Sequence, residues 1–484
     1  MNYFESWHAN LSDYLKGYLY NEEGDAKPVR FVFDKLKSYL LDFAVGKFGE
    51  KIILLPGMRG VGKTTLLAQL YFFEKYLKSD EHEIAQNIKN RIYITADDLA
   101  YNNLSLKDFV GYYEKKINSS LSLLKDKTLI FIDEIHYDPK WGMFLKRLYD
   151  EAKGHKNLLV FATGSSALLL KTNTDLTRRK IEEKIYPLSF SEYLYLKKKE
   201  NGKSSAISST VLGNKIKESI FFSKTAENVF EKLSNLSSEV MDYYSNVSDF
   251  KIEIEKYLKI GSFPFSIETE NEIITFEKIG SILSKVIEED ILKLKKFDSN
   301  TILKLHNLLY LIASSYNINL SKVSGTLLLN IQTLRQVLDA FVESEILLKI
   351  PSFGTAYSQA RKELKYLFLS SAMRNSILKG LVPSGTSGAM LEDESAHIFY
   401  RELLKNNQAQ MFYDSSQGGA DFVLKFIDGR KIIIEIGKNK ESVNQVIFSS
   451  KKIKPDYGIV VGSEKLDLID RFIVKIPIYY WMLM

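Results

Sequence analysis

The 484 residues are 45% apolar and 26% charged, the balance of an ordinary water-soluble globular protein, and exceed what one hydrophobic core holds, so roughly three domains are expected. A net charge of +6 is small for this length and permits a nucleic-acid partner without arguing for one. With no cysteine the chain forms no disulfide and no thiolate metal site, and its six histidines show no pair at ligand spacing.

The stretch Met1-Asn2-Tyr3-Phe4-Glu5 lacks the basic and apolar regions of a signal peptide, and no apolar run approaches membrane-span length. A cytoplasmic protein with no membrane partner is therefore expected. Residues 1–50 read as helical, broken at Gly24–Pro28, with Leu36, Leu40 and Phe43 at helical spacing. From residue 51 to about 190, short β-branched runs alternate with helical ones, the pattern of a parallel α/β sheet. Strands are predicted at Lys51–Leu55, Arg91–Thr95, Thr128–Ile132, Leu158–Thr163 and Lys184–Leu188.

Directly after the first of these lies Gly57-Met58-Arg59-Gly60-Val61-Gly62-Lys63-Thr64-Thr65, which fits the phosphate-binding pattern G-x-x-x-x-G-K-[ST]. Leu66, Leu70, Phe73 and Leu77 follow at helical spacing, so the motif has the strand–loop–helix setting it needs. Its glycines let successive N–H groups face phosphate oxygens at the positive end of a helix. Lys63 is placed to reach the β- and γ-phosphates, and the Thr64 hydroxyl to ligate Mg²⁺.

Leu129-Ile130-Phe131-Ile132-Asp133-Glu134 is an apolar strand ending in two acids. Asp133 is suited to hold Mg²⁺ and Glu134 to orient and deprotonate the attacking water, so ATP is favoured over GTP. At the end of the next strand, Thr163 is the first choice to sense the γ-phosphate and Ser165 the second. Arg179, in Asp175-Leu176-Thr177-Arg178-Arg179-Lys180, is a candidate to reach a neighbouring subunit's γ-phosphate, which implies a homo-oligomer.

Lys197–Thr210 is polar and reads as a loop at a domain boundary, and residues to about 300 are mostly helical. Thr301–Ile350 has helix-turn-helix spacing, with a short helix near Leu320–Leu327 and a second from Ile331 to Ser344. On that second helix Gln332, Arg335 and Gln336 suit a DNA groove, whereas Asp339 and Glu343 would repel phosphates. Contact with DNA and a protein-interaction or packing role both stay open. A Gly/Ser-rich linker at Pro383–Gly388 leads to an α/β tail, whose Phe472–Met484 reads as a final strand.

The chain resembles the prokaryotic AAA-type ATPases that carry a winged-helix segment and a degenerate nuclease-like C-terminal domain. The markers are Gly57–Thr64, Ile132–Ile135, Thr163-Gly164-Ser165-Ser166 and, most specific, Tyr186-Pro187-Leu188-Ser189-Phe190-Ser191-Glu192-Tyr193. Gly261-Ser262-Phe263-Pro264 and Val286-Ile287-Glu288-Glu289-Asp290 also fit. The resemblance implies a central sheet in the order 5-1-4-3-2 and an arginine at position 179; Arg178 stands where the family usually has glycine.

Asp421 and Glu435 on two adjacent strands, with Glu392 on the preceding helix, look like the PD-(D/E)XK nuclease core and make a candidate second Mg²⁺ site. In that core a lysine two residues after the glutamate activates water. Here position 437 is glycine, so Lys438 falls at an odd offset and Lys440 lies beyond it. The resemblance divides the chain into an N-terminal helical segment (1–50), an ATPase core (51–200), a helical lid (201–300), a winged-helix segment (301–360) and a nuclease-like domain (361–484). The expected function is a Mg²⁺-dependent ATPase acting as a switch or motor on a DNA or protein partner bound through residues 301–484. An ATP-gated nuclease using Asp421 and Glu435 is the alternative. A helicase, suggested by Asp133-Glu134-Ile135-His136, is the third reading, but no second nucleotide-domain motif is visible in residues 200–484.

Overall fold

Ile52-Ile53-Leu54-Leu55 is apolar on both faces of a strand, which only a sheet covered on both sides can bury. The computed structural model describes residues 3–165, 176, 178–199, 206–245, 247, 249–269, 271–292, 297, 299–315, 318–381 and 387–484. Ser166, Asp175, Thr177, 200–205 of the polar loop and most of the linker at 383–388 lie outside these residues. By internal contacts the chain divides into two units, Met1–Tyr186 and Pro187–Met484.

In the first unit, helices α1 (Tyr3–Leu19) and α2 (Val32–Ala44) precede strand β1 (Ile52–Gly57), which is buried throughout. After it come α3 (Lys63–Tyr71), α4 (Glu81–Ala85), β2 (Ile88–Thr95), α5 (Ala96–Tyr101), α6 (Leu106–Ile117), β3 (Lys127–Asp133), α7 (Trp141–Glu151), β4 (Leu158–Ser165) and β5 (Ile181–Glu182). All pairings are parallel, and the order is β2-β3-β4-β1-β5. Read from the other edge, this is the 5-1-4-3-2 order that the resemblance implies. One face packs Ile52, Leu54, Ile130, Ile132 and Val160 against Phe4, Leu99, Phe109 and Leu145. Leu36, Leu40 and Phe43 of α2 and Leu66 and Leu70 of α3 are buried as their spacing predicts.

In this unit two predicted elements change. Helix α3 stops at Tyr71, so Phe73 falls in a following 3₁₀ turn and Leu77 beyond it. The fifth strand lies at Ile181–Glu182 rather than Lys184–Leu188, although the N–H groups of Glu183 and Ile185 still donate to Leu54 O (2.9 Å) and Pro56 O (2.7 Å). Pro187, with no N–H, cannot continue the ladder.

The second unit begins with helices, within which Leu188 N donates to Ser262 O at 2.8 Å and Tyr257 Oη to Leu188 O at 2.7 Å. The Pro187–Tyr193 and Gly261–Pro264 markers are thus bonded to each other. Helices Ser299–Ser314, Leu320–Leu327 and Ile331–Glu343 precede an antiparallel pair, β6 (Leu347–Ile350) and β7 (Lys365–Phe368). A six-stranded mixed sheet follows, ordered β12-β13-β11-β10-β9-β8, from β8 (Ala409–Phe412), β9 (Phe422–Phe426), β10 (Lys431–Ile436), β11 (Tyr457–Val461), β12 (Asp467–Ile469) and β13 (Ile473–Ile476). The tail read as a final strand is split: β13 ends at Ile476 and Ile478–Trp481 is a short helix. Pro477 ends the ladder and suits a helix start, where its missing N–H costs nothing.

Candidate nucleotide site

Between β1 and α3 the backbone turns through Gly60 (φ 82°) and Gly62 (φ 86°), conformations that side chains with a Cβ resist. At Gly57 the constraint is space: a Cβ would lie 2.5 Å from the carbonyl oxygen of Ile185 on the neighbouring chain segment. Lys63 is buried and folds back over the loop, donating to Gly57 O (3.1 Å) and Met58 O (3.2 Å). Its ammonium also stands 3.6 Å from Glu134 Oε1. Arg30, which nothing in the sequence marks, is buried and bonded to the loop. One of its guanidinium nitrogens donates to Val61 O (2.7 Å) and to Tyr186 O (2.9 Å). Nothing local to Arg30 marks it, because its partners are distant carbonyls. Met58, Arg59 and Thr65 complete the loop.

Strand β3 delivers Asp133 to the same edge, nearly fully buried, and the chain then turns through Glu134 at φ 47°. Thr163, at the end of β4, donates its hydroxyl to Asp133 Oδ1 and accepts the Glu134 N–H at 2.9 Å. The predicted γ-phosphate sensor therefore spends its hydroxyl on the two acids. Ser165 N donates to His136 Nδ1 at 3.4 Å, and the same ring nitrogen lies 3.2 Å from Glu134 Oε2. One tautomer serves one of these partners at a time. Tyr93 Oη reaches Asp133 Oδ2 at 3.4 Å.

Burial and the adjacent Glu134 raise the Asp133 carboxyl to about 6, against the pull of hydrogen bonds from Thr163 and Thr64 and the charge of Lys63. Burial likewise raises Asp97 at the start of α5, with Glu134 contributing. These acids hold their charge reluctantly, and a divalent cation would relieve them. The Thr64 hydroxyl and Asp133 carboxylate are the hard oxygen donors that Mg²⁺ takes, so the residues fit that ion. Arg179 is seated on the end of α7, with Nε 3.7 Å from Asp150 Oδ1 and its guanidinium over the Tyr149 ring.

Residues 49–194 match a family model described as an AAA domain, and residues 251–382 match a domain of unknown function. The uncharacterized protein MJ1637 of Methanocaldococcus jannaschii is 32% identical over 470 residues, covering 94% of this chain and 91% of that protein. The chain belongs to that protein's family. A second uncharacterized protein, from Haemophilus influenzae, is 23% identical over 89% of this chain and 93% of its own length. The solved Aeropyrum pernix ORC1 protein in complex with DNA aligns over 73% of this chain and 93% of its own, with 11% identity and a TM-score of 0.32. Residues 49–194 of the first unit thus match an AAA domain, and their sheet has the strand order of a P-loop ATPase.

In the second unit the three acids of the candidate second Mg²⁺ site are paired with lysines. Glu392 lies on the helix Ser387–Phe399, Asp421 just before β9 and Glu435 on β10, but lysines take their carboxylates. Lys365 Nζ, buried on β7, hydrogen-bonds Glu392 Oε2 and lies 4.0 Å from Asp421 Oδ1. Lys440 Nζ donates to Glu435 Oε1 at 2.6 Å, while Lys438 turns away to Glu255 at 2.5 Å. Burial and Asp421 push the Glu435 carboxyl up to about 8. Among the described residues no group of three or more acids, histidines or cysteines is arranged to hold a metal ion. Lys365 was missed because it lies far from the motif in sequence.

Proposed function

We propose that this chain is a Mg²⁺-dependent ATPase that works as a switch or motor on a protein or nucleic-acid partner. The observation that carries it is the meeting of Lys63, Thr64, Asp133 and Glu134 at one edge of a 5-1-4-3-2 sheet. Lys63 neutralises β- and γ-phosphate charge, and backbone N–H groups of Gly60, Val61, Gly62, Lys63, Thr64 and Thr65 cradle the phosphates. Thr64 and Asp133 hold the metal, which when bound supplies charge to the phosphate oxygens. Glu134 takes a proton from the attacking water. The Lys63–Glu134 approach of 3.6 Å puts that base beside the phosphate-binding ammonium. Thr163 acts indirectly, by fixing Asp133 and Glu134. Arg179 is the residue offered to a neighbouring subunit's nucleotide.

In the second unit, three helices followed by β6–β7 support a winged-helix reading of residues 301–360. On the helix Ile331–Glu343, Gln332, Arg335 and Gln336 are exposed while Leu334, Val337, Leu338 and Phe341 are buried. Asp339 is paired with Lys349 at 3.0 Å, which weakens the repulsion of phosphate expected of it. The Lys440–Glu435 contact favours a second reading, the ATP-gated nuclease, but Lys365 among the same acids opposes it. For a helicase, no second P-loop sheet is present among the described residues.

ATP binding and hydrolysis by single substitutions test the main reading. Lys63→Ala is expected to abolish nucleotide binding. Glu134→Gln is expected to bind MgATP normally and to hydrolyse it about 10²–10⁴ times more slowly. Binding and turnover retained in Lys63→Ala would overturn the assignment.

A further inference from the structure

Lys365 is the first residue of β7, and its side chain is 4% exposed. Taking an ammonium out of water disfavours its charge, so a buried lysine persists as a cation only where acids surround it. Here they come from three separate elements. Glu392, on the helix Ser387–Phe399, accepts its hydrogen bond, and Asp421, before β9, stands 4.0 Å away. Glu435 on β10 adds its negative field to theirs. The remaining valences of the cluster are partly spent: Asp421 Oδ2 accepts the Ile436 N–H at 2.9 Å, and Glu435 Oε1 accepts Lys440. Glu435 Oε2 is buried with no hydrogen-bond partner among the described residues.

A magnesium ion needs about six oxygens at close to 2.1 Å in near-octahedral array. An ammonium already bonded to one carboxylate and facing a second repels such an ion and blocks its approach. We propose that Lys365 is a resident cation standing in for a divalent metal in the Glu392–Asp421–Glu435 cluster, so that the C-terminal sheet is a metal-free module. The lysine then ties β7 to the helix 387–399 and to the chain just before β9, a role unlike metal-dependent cleavage. The inference rests on this cluster alone and is independent of ATP hydrolysis.

Mn²⁺ binding to the full chain, without nucleotide and with Lys63→Ala to silence the phosphate loop, tests it by electron paramagnetic resonance. The cluster with Lys365 in place is expected to retain no Mn²⁺, so adding Asp421→Asn leaves the bound Mn²⁺ unchanged. Lys365→Met is expected to free the acids, giving Mn²⁺ binding at least about tenfold tighter and a melting temperature that Mn²⁺ raises. Mn²⁺ bound to the chain with Lys365 intact and lost in Asp421→Asn overturns the proposal. So does a folded Lys365→Met variant that gains no Mn²⁺. Should Lys365→Met fail to fold, the Asp421→Asn comparison decides by itself.

Discussion

Replacing Thr163 by valine removes one hydroxyl from the centre of the nucleotide site and leaves the side chain's shape nearly unchanged. Two hydrogen bonds go with it. The bond to the Asp133 carboxylate is of the charged kind, worth roughly 1.5–3 kcal/mol, and the one accepted from Glu134 N–H is worth roughly 0.5–1.5. The second loss is partly offset, because the Glu134 N–H also lies 3.2 Å from Asp133 Oδ1. Since valine fills the same volume, little cavity cost is added, and a total near 3 kcal/mol is expected. Thr163 also lowers the Asp133 carboxyl, so its removal raises that group further and weakens its hold on a cation. Urea unfolding followed alongside ATPase kinetics reads both effects. The expected result is a loss of stability of that size together with a fall in kcat and a higher Mg²⁺ requirement, both restored by Thr163→Ser. A Thr163→Val protein with unchanged stability and an unchanged Mg²⁺ requirement would refute the reasoning.

Glu402 lies between Arg401 (2.7 Å) and Lys217 (2.9 Å), which overcome its burial and hold its carboxyl down from 4.5 to about 2. A depressed carboxylate contributes stability above its ordinary value and loses it as pH falls through the folded one. Acid titration of unfolding should therefore show a loss of roughly 3 kcal/mol between about pH 5 and pH 2, absent in Glu402→Gln. If Arg179 serves a neighbour's nucleotide, Arg179→Ala lowers turnover by about 10³ with ATP affinity kept. Mixing Arg179→Ala with Lys63→Ala chains should then restore activity at mixed interfaces, and no recovery would remove the role in trans. Sedimentation with a slowly hydrolysed ATP analogue gives the subunit number this requires.

The phosphate loop, the acid pair after β3 and the sheet order were legible in the sequence, the order through resemblance. Their constraints are local: consecutive N–H groups must face one phosphate, and a buried parallel strand must be apolar throughout. Edges were read less well, because Ile181–Glu182 pairs on one side only and its pattern carries half the usual demand. Long-range partners could not be read at all. Arg30 under the loop, Tyr93 beside Asp133 and Thr163 between the acids owe their roles to which strands are neighbours. The C-terminal acids show the same division. Their resemblance to a nuclease core implied a metal site, but only the folded chain brings Lys365 into that cluster and Lys440, rather than Lys438, to Glu435. A cation's position is set by three-dimensional charge balance, which linear spacing does not encode.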